Sequence, residues 1–79
     1  MGETEVKIRK FLKERFRDYR DDIGLTDKLD GVVDSLGLFE LVTYLEEEFS
    51  LSIPNEEFNP DLFSSVKNIL KVVEEFKTT

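Results

Sequence analysis

The chain has no cysteine and no histidine among its 79 residues. Without cysteine, neither disulfides nor thiolate metal sites hold it together, which fits a reducing cytoplasm. Without histidine, a serine nucleophile lacks its usual base. Lys28 is the only basic residue between Arg20 and Lys67, and nothing in the sequence ties it to Ser35. Apolar runs of bilayer-spanning length are also missing, and the charged N-terminus has no signal-peptide core. The opening Met1-Gly2 does not continue into a myristoylation pattern, because Val6 stands where serine or threonine is needed. These absences read as a soluble, untethered, cytoplasmic chain with no membrane partner. Glycine-rich phosphate loops are absent too. Placing Gly31 at the sixth position of a calcium loop puts Thr26, Lys28 and Gly37 at ligand positions, and all three are wrong for it. Intrinsic catalysis is not supported, so the chain reads as a non-enzyme.

What is present is a small, acidic, amphipathic chain. Seventy-nine residues suffice for one domain, 1–79, near the size where a single core is only just adequate. Eighteen acidic residues against 11 basic ones leave a formal charge of −7. Such a surface repels nucleic acid and attracts proteins with basic patches. Its signs are unevenly spread: basic residues crowd the first twenty positions, while Glu40, Glu46, Glu47 and Glu48 crowd the middle.

Periodicity predicts an all-α fold, a small four-helix bundle, and the chain is expected to be a monomer. Ile8, Phe11, Leu12, Phe16 and Tyr19 mark a first helix over about 4–19, closed by Arg17 and Arg20. A long first loop follows. Its Ile23, Leu25, Leu29, Val32 and Val33 imply that it is pinned on the core. Leu38, Leu41, Val42, Leu45 and Phe49 mark a second helix over 35–49. Pro54 and Pro60 bracket a short third helix over about 56–61. The last helix covers about 65–77, capped by Ser64 or Ser65, with Val66, Ile69, Leu70, Val73 and Phe76 inward.

Two cap-type residues, Asp34 and Ser35, stand side by side before the second helix. Serine alone there reads as an ordinary N-cap. If Asp34 takes the cap, however, Ser35 becomes the first helical residue and faces outward. Its hydroxyl then lies in the positive field of the helix start, a suitable place for a phosphoester.

The run "GVVDSLGLFELVTYLEEEFSLSIP" closely resembles the acyl carrier protein family, whose signature is Asp-Ser-Leu at the start of the second helix. The resemblance covers nearly the whole chain and includes the Leu-Glu-Glu-Glu-Phe run and the Ile-Pro that follows it. It implies that Ser35 carries 4′-phosphopantetheine, installed by a phosphopantetheinyl transferase that uses coenzyme A. Asp34 and Leu36 flank the attachment point. Acyl groups would then ride as thioesters on the arm's thiol, delivered to loading and consuming enzymes of fatty-acid, polyketide or related synthesis. An aminoacyl carrier of D-alanyl or peptidyl type is the alternative cargo class. A helical interaction module with Ser35 as a plain cap is the alternative outside the family.

By the same resemblance, Leu36, Phe39, Glu40, Thr43 and Glu47, with Glu46 added, form an acidic, partly apolar strip that meets basic patches on partner enzymes. Phe39 reads equally well as a core residue. Acids at a helix C-terminus oppose the macrodipole, which favours a partner-facing role for Glu46, Glu47 and Glu48 over a plain solvated end. A cargo crevice is expected between the second and short third helices, near Val42, Leu45, Ile53, Phe58 and Leu62. If Phe49, Phe58, Leu62 and Phe63 fill it, a small cargo suits better. Gly37 stands where many fatty-acid carriers have a polar or acidic residue and reads as loosening the helix start. The segment "NEEFNPDLFSSV" is longer than in typical fatty-acid carriers and closer to D-alanyl-type carriers.

Overall fold

In the computed structural model, which describes residues 2–76, three α-helices and two 3-10 turns pack around one apolar core. The helices are α1 (Glu3–Arg15), α2 (Ser35–Phe49) and α3 (Val66–Glu75). The short third helix expected over 56–61 is instead a pair of 3-10 turns, Asn55–Glu57 and Pro60–Phe63. Asn59 separates them in extended conformation (φ −150°, ψ 125°). A residue preceding proline is pushed out of helical space, so Pro60 begins a new turn rather than ending an old one.

α1 stops four residues short of the expected Tyr19. Phe16 leaves the helix in extended conformation (φ −125°, ψ 116°), while its N–H still reaches the Leu12 carbonyl. Lys13 and Arg15, not Arg17 and Arg20, therefore occupy the last turn. A turn follows, closed by Tyr19 N–H on the Phe16 carbonyl at 3.1 Å. This turn returns Tyr19 to the core surface, so the apolar spacing continues although the helix does not.

The long loop is pinned, as its aliphatic content implies. The partly buried Arg9 guanidinium binds Glu5 at 2.8 Å, the Tyr19 hydroxyl at 3.1 Å and the Ile23 carbonyl at 2.7 Å. Burial works against the Arg9 charge, but the hydrogen bonds to Tyr19 and Glu5 outweigh it and hold the guanidinium above its ordinary pKa. Leu29 is fully buried, and its N–H reaches the Ser64 carbonyl at 2.8 Å. Leu25 differs from expectation, since its side chain is exposed. Its backbone carbonyl, however, accepts from Lys67 N–H at 2.9 Å and satisfies an orphan donor in the first turn of α3.

Of the two candidate caps for α3, Ser65 does the capping, accepting from Asn68 N–H at 3.2 Å. Ser64 instead ties the Asp61 carbonyl to the Asn68 side-chain amide. α3 ends at Glu75 with Phe76 closing it, and position 77 of the expected span lies outside the described residues. Ile8, Leu12, Leu41, Leu45, Val66 and Ile69 are fully buried at the centre. Burial of one such side chain is worth about 1.5–3 kcal/mol. Phe11 stacks on Tyr44 at 4.2 Å between ring centroids and joins α1 to α2.

Candidate functional site

The site is built on the first turn of α2. Asp34 is extended (φ −90°, ψ −174°), and its carboxylate Oδ1 accepts from Gly37 N–H at 2.7 Å. Its carbonyl accepts the first helical bond, from Leu38 N–H at 2.8 Å. Asp34 is thus the cap, and Ser35 is the first helical residue. Ser35 is exposed, and its hydroxyl makes no hydrogen bond among the described residues. The first turn of α2 carries no acidic residue of its own. The positive end of the helix dipole therefore lies at the Ser35 hydroxyl, while Asp30, Asp34 and Asp61 are the acids of the adjoining crevice.

Beside Ser35 lies a surface crevice of about 480 Å³. Leu29, Val33, Leu38 and Phe63 give it apolar walls, and Lys28 and Asp61 are among its charged residues. Lys28, which no spacing in the sequence linked to Ser35, shares this crevice with it. Only the packing of the long loop against the second 3-10 turn brings the two together. The crevice at Ser35 is not the one expected from the sequence. Leu45 is fully buried, and Val42, Ile53, Phe58 and Leu62 pack partly buried against the core. Phe58 and Phe63 stand 6.0 Å apart, ring to ring.

The strip along α2 divides into residues that face solvent and residues already engaged. Leu36 is 77% exposed and Phe39 65%, so Phe39 is a surface residue and not a core one. Phe39, Glu40, Thr43 and Glu47 line a second groove of about 420 Å³, whose other wall is Phe11 and Arg15 of α1 with Tyr44. Glu40 is paired with Arg15 at 2.7 Å, both side chains about half exposed. Such an exposed pair contributes at most about 1 kcal/mol and is easily exchanged for another partner.

Glu46 departs from the expected strip. Its carboxylate accepts from Ile53 N–H at 3.3 Å and braces the segment that leaves α2. Glu48 binds Lys7 at 3.0 Å, and this hydrogen bond and charge raise the Lys7 pKa above its ordinary value. Glu47 alone of the three acids has no partner among the described residues. The penalty of acids at a helix end is thus relieved locally at Glu46 and Glu48, a local pairing that helical spacing does not report.

No helix among the described residues is long and apolar enough to cross a membrane. No family model matches the chain, and no solved structure does. Curated relatives do match. The D-alanyl carrier protein of Streptococcus mutans serotype c (strain ATCC 700610 / UA159) is 31% identical over 76 residues, 95% of this chain and 96% of that protein. The D-alanyl carrier proteins of Streptococcus pyogenes serotype M5 (strain Manfredo) and serotype M49 (strain NZ131) are each 43% identical over 47 residues. Those two alignments span 60% of this chain and 60% of each relative. A hydroxyl left unbonded at the mouth of a capped helix agrees with the near full-length match, and the chain belongs to the phosphopantetheine-dependent carrier proteins, the family of the D-alanyl carriers and, as relatives of these, the acyl carriers.

Proposed function

We propose that this carrier protein is an aminoacyl carrier of the D-alanyl type, with the prosthetic arm on Ser35. The observation that carries the attachment site is the division of labour at the start of α2. Asp34 satisfies the helix, and Ser35 is left exposed with its hydroxyl unbonded among the described residues. The residues present suit a phosphopantetheine group at the helix start: an accessible hydroxyl and a first turn without acids, beside a crevice in which Lys28 stands among Asp30, Asp34 and Asp61. The group supplies a thiol on a flexible arm, which this cysteine-free chain cannot provide itself. A separate transferase activates the serine, so no internal base is needed.

Two observations favour an amino acid over a long acyl chain as cargo. The curated relatives described above are D-alanyl carriers, whereas none of them is named for fatty-acid or polyketide synthesis. The space beneath α2 is also taken by the protein's own side chains, with Leu41 and Leu45 fully buried and Phe63 nearly so. A long chain would have to displace them at several kcal/mol.

Conversion of the apo protein with coenzyme A and a broad-specificity phosphopantetheinyl transferase gives the holo form for the test. Adding ATP, D-alanine and an amino-acid adenylating enzyme should then add one alanyl mass to the holo protein and none to the apo protein. Holo protein that refuses every amino acid offered, yet is charged by an acyl-carrier synthetase with a fatty acid, would contradict the aminoacyl reading.

Partner enzymes with basic patches would meet the α2 face through Leu36, Phe39 and Glu47, which has no partner among the described residues. Glu47→Lys should raise the transferase KM about fivefold at low salt and flatten its salt dependence. Glu48→Lys, at a carboxylate beside Lys7 and outside the groove that Phe39 and Glu47 line, should change KM less than twofold. Equal effects at both positions, or none at either, would count against this face.

A further inference from the structure

Gly37 is buried in the first turn of α2, at the third helical residue. Its backbone is ordinary helix, and its φ is not among the positive ones. The reason for glycine is therefore space. A Cβ at position 37 would collide with Cε1 of Phe16, lie 2.9 Å from its Cζ, and lie 3.0 Å from Asp34 Oδ1. Phe16 is itself nearly buried, held edge-on by Phe11 at 6.1 Å between ring centroids. Its ring is not the loose end of a flexible side chain and has little room to yield.

The same glycine thus serves two neighbours. Its N–H is the donor that occupies the Asp34 cap, and its missing side chain is the seat of the Phe16 ring. Ser35 lies between the cap and the glycine, on the one turn that both contacts hold. The unexpected end of α1 also finds its reason here. Phe16 leaves the helix in extended conformation, and its ring lies against the start of α2.

We propose that Phe16 is a positioning residue for Ser35: seated where Gly37 has no side chain, its ring fixes the first turn of α2 so that the Ser35 hydroxyl meets the transferase in a reactive orientation. The proposal rests on Ser35 as the attachment site. Phe16 does not touch the reacting atoms and acts through Gly37 and the Asp34 cap. A methyl group at position 37 would push the ring, the cap or the whole turn, and each of these displaces Ser35. Sub-ångström to ångström shifts at a reacting atom are costly in rate, while the docking residues Leu36, Phe39 and Glu47 keep their faces.

The test compares the parent, Gly37→Ala, Phe16→Leu and the double variant as full-length apo proteins, with coenzyme A and one broad-specificity transferase. Gly37→Ala should lower kcat about tenfold, leave KM within about twofold, and shift the Ser35 and Leu36 amide resonances. Phe16→Leu in that background should restore most of the rate, because the shorter side chain vacates the space the new methyl needs. Ordinary helix propensity makes the opposite forecast, since alanine is the better helix former. A Gly37→Ala protein modified at the parent rate with unmoved Ser35 and Leu36 resonances would overturn the proposal. So would a rate loss that Phe16→Leu does not relieve. If Gly37→Ala fails to fold, Phe16→Leu alone decides. It should speed amide exchange at Leu36 and Gly37 and lower kcat about threefold, and unchanged values there would overturn the proposal. Should the parent itself not be modified on Ser35, the attachment-site reading fails instead, which the parent control reveals first.

Discussion

Ser35→Ala should abolish phosphopantetheine attachment and leave unfolding free energy within about 0.5 kcal/mol of the parent. The two halves of this result come from one geometric fact. Asp34, not Ser35, accepts the Gly37 N–H, and the Ser35 hydroxyl has no bond among the described residues to lose. Alanine at a first helical position is well tolerated, so no stabilising term is removed. Had Ser35 been the cap, the same substitution would cost about 1 kcal/mol. The complementary variant carries the opposite signature. Asp34→Ala should cost about 1 kcal/mol and keep the hydroxyl, so modification continues at a reduced rate. Urea titrations with intact mass measured after transferase treatment read both halves. A Ser35→Ala protein destabilised as much as Asp34→Ala would show that serine shares the capping.

Leu45→Ala should cost about 2–5 kcal/mol, the loss expected of a fully buried leucine. Leu45 is fully buried in the C-terminal half of α2 and shares the core with Leu12, Leu41 and Ile69. Removing its side chain forfeits the transfer energy of three carbon groups and leaves a cavity among neighbours that have little room to move. Small domains commonly hold only about 5 kcal/mol in total, so this variant should be largely unfolded well below the parent's melting temperature. Leu36→Ala on the same helix is the control, because Leu36 is 77% exposed. It should unfold within about 0.5 kcal/mol of the parent and lose only partner affinity. Thermal melts followed by circular dichroism separate the two. Equal stability for both variants would contradict the orientation of α2.

The bounds of α2 were legible because local signals agree with tertiary packing. Asp34 and Ser35 mark its start, and its apolar period runs to Phe49 before Pro54. Ser50 stops it in left-handed conformation (φ 56°, ψ 52°), an unusual place for serine that composition does not announce. The end of α1 is not legible in the sequence, because Tyr19 keeps the helical spacing although a turn, not a helix, places it. Gly37 was readable only as a weakening of the helix, since its purpose is the ring of Phe16, twenty-one positions earlier in the chain. Lys28 and Arg15 were invisible as site neighbours for a similar reason. Loop packing sets one beside Ser35, and the α1–α2 contact sets the other against Glu40. Spacing reports which residues share a helix face. It does not report which of them the rest of the chain has already taken, as it has Glu46 and Glu48.

The most direct measurement is fragment-ion mapping of the holo protein, isolated from cells that supply coenzyme A and a phosphopantetheinyl transferase. The expected spectrum places one phosphopantetheine on Ser35 and leaves Ser50, Ser52, Ser64 and Ser65 bare. An arm found on any other side chain, or a protein that stays wholly unmodified under those conditions, would contradict a tether at the mouth of α2.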